Sequence, residues 1–337
     1  MKKIILLLAV LSSVTPLFSQ NVTKVGTTAA GFLNIDIGTR AIGMGGSYVS
    51  VANDAMSMYW NPAGIARLNG GEAFFTHANW LADIGLSYAG FAMQMGRDGA
   101  IGVFANFMSM DQMERTTVME PDGTGEMFDA GSYVFDLTYA HNLTDRFTIG
   151  GSFKYIHEKI YHSSASGIAF DIGTLFDTQF NGLRIGMSIT NYGTKMKMSG
   201  RDMLIQTDID PLIHGNNQNI NANLSTDEFE LPLMFRVGVS MDVLKGAGNS
   251  NLILSLDALH PNDDVEYVNV GAEYGFSKMF FLRGGYKTMF ARDSEQGLCF
   301  GAGLHYGFGP TKIKVDYAYQ DFGVLNDVQM FSVGLGF

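Results

Sequence analysis

Residues 311–337 read TKIKVDYAYQDFGVLNDVQMFSVGLGF. Ile313, Val315, Tyr317 and Tyr319 alternate with Lys312, Lys314, Asp316 and Ala318. After a turn-rich interval, Phe331, Val333, Leu335 and Phe337 alternate with Ser332, Gly334 and Gly336. A period of two sends successive side chains to opposite faces of a strand. Each segment therefore carries one apolar face and one polar or small face. Upstream the pattern recurs, with Val237, Val239, Met241 and Val243 against Arg236, Gly238, Ser240 and Asp242. It recurs again with Leu183, Ile185, Met187 and Ile189 against Arg184, Gly186, Ser188 and Thr190.

From Glu72 onward the chain contains about fourteen such segments of roughly ten residues, the length of a tilted membrane strand. Their centres fall near residues 75, 90, 104, 136, 152, 172, 189, 238, 255, 270, 285, 302, 316 and 333. Short turns are expected at Gly96–Gly99, Asn142–Asp145, Gln179–Gly182, Phe276–Lys278 and Gly307–Thr311, with a somewhat longer one at Lys245–Asn251. Longer segments alternate with them: Asp111–Ala130, Tyr161–Ser166, Lys197–Leu231, His260–Asp264, Arg292–Gly297 and Asp321–Asp327. A soluble sandwich or propeller has no reason to segregate loop lengths in this way. An even-numbered, up-and-down transmembrane antiparallel β-barrel does, with short periplasmic turns and longer extracellular loops. The fold expected is all-β. In hydrocarbon every backbone N–H and C=O must be paired, and a closed sheet achieves that.

The start of the chain fits export. Lys2 and Lys3 precede an apolar run, Ile4 to Leu11, and small residues near Ser19 precede Gln20, the layout of a cleaved signal peptide over residues 1–20. That run is too short for a spanning helix. The expected location is thus the outer membrane of a Gram-negative cell, with outer-membrane lipid around the barrel. A net charge of −11 argues against a nucleic-acid partner, and the single Cys299 excludes an intrachain disulfide.

Residues 26–70 break the alternation. They contain GTRAIGMGG (38–46), then Asn53 and Asp54, then YWNPAG (59–64). Val51 to Met58 is expected to form a short helix with Asn53 or Asp54 near its start. This block resembles the N-terminal region of the PorV/PorQ family of outer-membrane proteins, within the FadL-like barrel group. The matching residues are Gly38, Thr39, Arg40, Ala41, Gly43, Met44, Gly45 and Gly46, then Asn53, Asp54, Tyr59, Trp60, Asn61, Pro62, Ala63 and Gly64. The resemblance implies a fourteen-stranded barrel over residues 71–337 and a hatch inside it formed by residues 21–70. It also implies a role in type IX secretion, binding translocon or cargo proteins. The alternative it leaves open is transport of a hydrophobic small molecule. Phe337, an aromatic end to a clean strand, resembles the signal read by barrel-assembly machinery. The motif glycines and Asn61–Pro62 serve equally well as plain packing and turn residues.

Alternation sends Lys154, Asp171, Arg184, Arg236, Asp242, Asp257, Glu273, Arg283, Lys287 and Asp316 into the lumen, where cross-paired charges are expected. Arg40 is expected to pair with an inward carboxylate such as Asp171 or Asp257. The seven histidines are scattered and form no zinc motif, and neither a G-x-S-x-G elbow nor a dinucleotide fingerprint is present. No nucleophile, base and orienting group converge, so no catalysis, metal or cofactor is expected. The acidic, Asn-rich loop from Lys197 to Leu231 is the candidate for partner contact.

Overall fold

The computed structural model describes residues 24–337, apart from Pro211, His214, residues 245–247 and residues 292–293. The expected signal peptide lies outside the described residues. Fourteen spanning strands form one antiparallel sheet: β1 (Gly71–Asn79), β2 (Gly85–Met95), β3 (Gly99–Ser109), β4 (Ala130–Asn142), β5 (Phe147–Ile160), β6 (Ser163–Asp177) and β7 (Arg184–Gly193), then β8 (Met234–Asp242), β9 (Ser250–Pro261), β10 (Tyr267–Phe276), β11 (Phe280–Met289), β12 (Leu298–Phe308), β13 (Thr311–Asp321) and β14 (Asp327–Gly336). Each pairs with its neighbour in sequence, and β1 pairs with β14 in register Glu72↔Gly336 through Asn79↔Gln329, which closes the barrel. All fourteen strand centres read from the sequence fall inside these strands.

The alternation also orients the wall. Phe331, Val333 and Leu335 are exposed on the outer surface while Ser332 is buried inside. Exposed aromatics cluster at two levels, Tyr139, Phe176, Phe276, Phe280, Tyr306 and Phe308 toward one end and Phe107, Tyr155, Tyr192, Phe235 and Tyr286 toward the other. Between such girdles a barrel presents its apolar band to lipid. At one end all connections are short: residues 96–98, 143–146, 178–183, 243–249, 277–279 and 309–310. The opposite end carries the long connections, 110–129 and 194–233, together with 80–84, 262–266, 290–297 and 322–326.

One connection departs from expectation. The segment read as a loop at Tyr161–Ser166 reduces to Tyr161 and His162, because β5 and β6 extend to 14 and 15 residues. Their tip is covered by the 194–233 loop: Asp202 accepts from the His162 backbone N–H at 3.1 Å, and Ser199–Gly200 adds a short strand beside Ser163 and Ser164. The extra pairing partner lets the hairpin run on beyond the wall. Irregularities interrupt the ladder at two seams, β6–β7 near Phe170 and β10–β11 near Val268.

Candidate functional site: the barrel lumen and its long loops

Residues 30–68 run through the lumen, and almost all of them are buried. The segment is compact because its own motif ties it together. The Trp60 indole N–H donates to the Ile37 carbonyl at 2.9 Å, and the Tyr59 hydroxyl lies 2.9 and 2.8 Å from the Leu33 and Ile35 carbonyl oxygens. Asn61 donates to Val49 O at 2.8 Å and to Thr174 O on β6 at 3.0 Å, while its side-chain oxygen accepts from Ala63 N. Pro62 opens a 3₁₀ turn, Pro62–Arg67, where a missing N–H costs nothing. Helix α1 (Thr39–Gly43) starts after Gly38, and Gly45 and Gly46 follow it at φ 64° and 72°, a conformation that a side chain would strain. The helix expected over Val51–Met58 is instead a turn followed by α2 (Ser57–Trp60). Asp54 donates its backbone N–H to Ser57 Oγ at 3.2 Å just before it.

The wall meets this segment backbone to backbone. An added Cβ at Gly150 on β5 would lie 2.5 Å from Ala63 N and from Pro62 C, and one at Gly301 on β12 would lie 3.1 Å from Gly43 Cα. Gly173 abuts Asn61, Gly186 abuts Val49 and Ser50, and Gly271 and Gly285 both abut Met44. On β9 the small residue is Ser255, whose hydroxyl donates to Ser47 O at 3.0 Å. A belt of minimal side chains thus runs along the inner face from β5 to β12. This belt was not read from the sequence. Its signal was present, because Gly186, for example, sits at an inward position of its alternating strand.

Charges hold the remaining contacts. Arg40 on α1 forms a two-pronged bond with Glu273 on β10, both at 2.8 Å, and also reaches Asp54 at 3.1 Å and Asn53 at 2.6 Å. The expected partners Asp171 and Asp257 are elsewhere engaged. Asp171 pairs with Lys154 at 2.6 Å, and Asp257 accepts the backbone N–H groups of Tyr48 and Val49 at 2.7 and 2.8 Å. Glu273 wins because α1 lies against β11 to β14, and β10 presents this carboxylate beside Arg283. Arg283 binds Glu273 at 2.7 Å and Asp316 at 2.6 Å. Lys287 pairs with Asp36 of the inner segment at 2.5 Å. Arg184 sits half-buried at the short-turn rim, sharing Asp177 with Arg67. Asp242 is spent locally, accepting from the backbone N–H groups of Leu244 and Leu252. Cross-pairing is therefore incomplete: Arg236 and Asp257 are both buried without an ion-pair partner among the described residues.

The inner segment separates two cavities. One, of about 530 Å³, opens at the short-turn end and is lined by Arg40, Arg67, Lys312, Lys314, Glu72 and Asp54 among others. Another, of about 460 Å³, lies toward the long-loop end between Asp36, Arg236, Asp263, Tyr267, Lys287 and Gln296. Charged groups line both.

The long loops carry structure of their own. Met113–Glu114 pairs with Met127–Phe128, and Leu204–Thr207 pairs with Ile220–Asn223. The Tyr161 hydroxyl and then Arg115 hold the Glu126 carboxyl below its usual value, which fixes the first hairpin over the β5–β6 tip. Apolar residues nonetheless face outward: Val118 is 98% exposed, Met119 89% and Leu212 89%. His157 bonds Ser166, and His162 bonds Asp202. No cluster of metal-binding side chains occurs among the described residues.

A closed fourteen-stranded antiparallel barrel with lipid-directed apolar residues defines an outer-membrane β-barrel protein. The family described as "Type IX secretion system protein PorV" matches residues 18–212, and the chain belongs to that family. The barrel is similar to the Ralstonia pickettii toluene transporter TbuX, with TM-score 0.54, 12% identity, and coverage of 89% of this chain and 97% of that one. It is similar likewise to a Pseudomonas aeruginosa FadL homologue (TM-score 0.52, 11% identity, covering 88% and 97%). The Pseudomonas putida toluene transporter TodX gives TM-score 0.52, 10% identity and coverage of 89% and 96%. At such identities the likeness concerns the fold, which is FadL-like. No curated protein sequence matches the chain.

Proposed function

We propose that this barrel works as a docking component of type IX secretion, binding translocon or cargo proteins through its long loops, which face outward from the cell. The signal peptide at residues 1–20 delivers it, and residues from about 21 to 70 act as a hatch that stays in the lumen. The observation that carries this reading is the pair of structured loops with exposed apolar tips, at Val118–Met119 and Leu212. Large apolar side chains this exposed on structured surface loops fit protein contact. The filled lumen supports the same reading, since charged side chains are among the lining of the cavities on either side of the segment. No chemistry beyond binding is assigned to the lumen.

The test is affinity purification from outer membranes in mild detergent, comparing the intact protein with a form lacking residues 204–223. The intact protein is expected to co-purify large membrane or cell-surface proteins, and the shortened form to lose them while remaining a heat-modifiable barrel. A solitary barrel that instead carries a bound apolar molecule would favour the alternative, transport of a hydrophobic small molecule.

A further inference from the structure

Closure of the ring sorts the chain's charge between its two ends. The long connections at residues 80–84, 110–129, 194–233, 262–266 and 290–297 hold 18 aspartates and glutamates against five lysines and arginines. The short turns at the opposite end hold two acidic and four basic residues. The surplus of 13 negative charges on the long-loop face exceeds the net −11 of the whole chain. Two of the five cations there are already paired on the same face, Arg115 with Glu126 and Lys195 with Glu230. Glu120, Asp122, Asp227 and Glu228 are exposed, and none of them forms an ion pair with a described residue.

The apolar tips sit within this acidic face. Val118 and Met119 are followed directly by Glu120 and, past Pro121, by Asp122. In the longer loop Ile209 is 74% exposed and Leu212 89%, with Asp208 and Asp210 flanking Ile209. Asp210 accepts the Leu212 backbone N–H at 3.1 Å, and Asp208 accepts that of Asp210 at 3.0 Å, so both carboxylates also shape the tip. An apolar centre with a charged rim is the layout of a protein interface. The sign of the rim selects the partner. A second copy of this chain meeting it face to face, or an anionic lipid surface, would bring like charges together at a cost in affinity. A cationic face is attracted, and its approach is steered.

We infer that the long-loop face docks a folded protein whose contact surface carries lysines and arginines around an apolar patch. Val118–Met119 and Leu212 enter that patch, and carboxylates such as Glu120 and Asp122 meet the cations around it. This inference rests on the docking role proposed above and adds the chemistry of the partner.

Carbodiimide treatment of outer membranes reads the contact, because it joins a carboxylate to an amine that already touches it. Cross-links from Glu120, Asp122, Asp227 or Glu228 to partner lysines, mapped by mass spectrometry, are the expected result. Glu120→Gln/Asp122→Asn should remove those of its own loop and slow the partner's rebinding to the immobilised barrel. Asp227→Asn/Glu228→Gln does the same for the longer loop and serves should the first variant fail to assemble. For the intact protein, raising NaCl from about 0.05 M to about 0.5 M should slow rebinding roughly tenfold. A partner that stays bound without such cross-links, and whose rebinding neither variant nor salt alters, overturns the basic partner and leaves the docking role standing. So does a partner released by EDTA whose lysines are absent from the cross-links, since a divalent cation then bridges two acidic faces. If no protein accompanies the intact barrel, the docking role falls and this inference with it.

Discussion

Arg40→Met removes the cation that joins the inner segment to the wall. The guanidinium makes two 2.8 Å bonds to Glu273 and one of 3.1 Å to Asp54, so the substitution leaves Asp54 with only the Tyr48 hydroxyl at hydrogen-bond distance from the same oxygen. Breaking a buried ion pair by deleting one partner costs about 3–5 kcal/mol. The low end applies here, because the Arg40 side chain is 17% exposed and Glu273 keeps Arg283. A loss of about 3 kcal/mol multiplies the population of the locally open segment by roughly 100. Native-state hydrogen exchange reads that population directly. Amides that bond within the segment, such as Ile42, Gly46, Ala52 and Asn61, should exchange roughly 100-fold faster, and those of β3 to β6 should not change. Unchanged segment rates in a correctly assembled barrel would refute the claim that this pair anchors the segment. Uniform acceleration across segment and wall would refute it as well, since the effect would then be global.

Other outcomes follow from neighbouring contacts. Lys154→Met should strip Asp171 of its counter-ion and lower stability by about 3–5 kcal/mol, with Lys154→Met/Asp171→Leu recovering most of it; urea unfolding in lipid vesicles measures both, and equal losses in the single and double variants would refute the pairing. Gly150→Leu places a side chain where the Ala63 and Pro62 backbone lies, so residues 30–68 should become protease-sensitive while the barrel still forms; a protected segment would refute the close seating. Leu256→Arg sits mid-strand on the outer face and should cost about 2–4 kcal/mol in a bilayer, and an unshifted urea midpoint would count against lipid contact there.

The strands were legible because a barrel in lipid obeys a local rule. Each residue of β13 or β14 faces either hydrocarbon or lumen, and an error of one position would reverse every face. Composition by period two therefore located all fourteen strands, and turn residues separated the short connections from most of the long ones. Tyr161–Ser166 escaped because the pairing that extends β5 and β6 comes partly from residues 199–202, far along the chain. The N-terminal motif could be recognised as a unit, but periodicity did not give it a shape, since residues 38–64 follow neither a strand nor a helix repeat.

The sequence by itself determined which residues turn inward, because that depends only on alternation and on what lipid excludes. Partnership was decided by the tertiary structure. Arg40 meets Glu273 and not Asp171 because α1 is seated against β11 to β14, and Asp257 is taken by the backbone of Tyr48 and Val49. Which strand faces which turn of the inner segment is set by closure of the ring and by the glycine belt, where backbone touches backbone. Those are non-local contacts between residues far apart in the chain, and no local pattern encodes them.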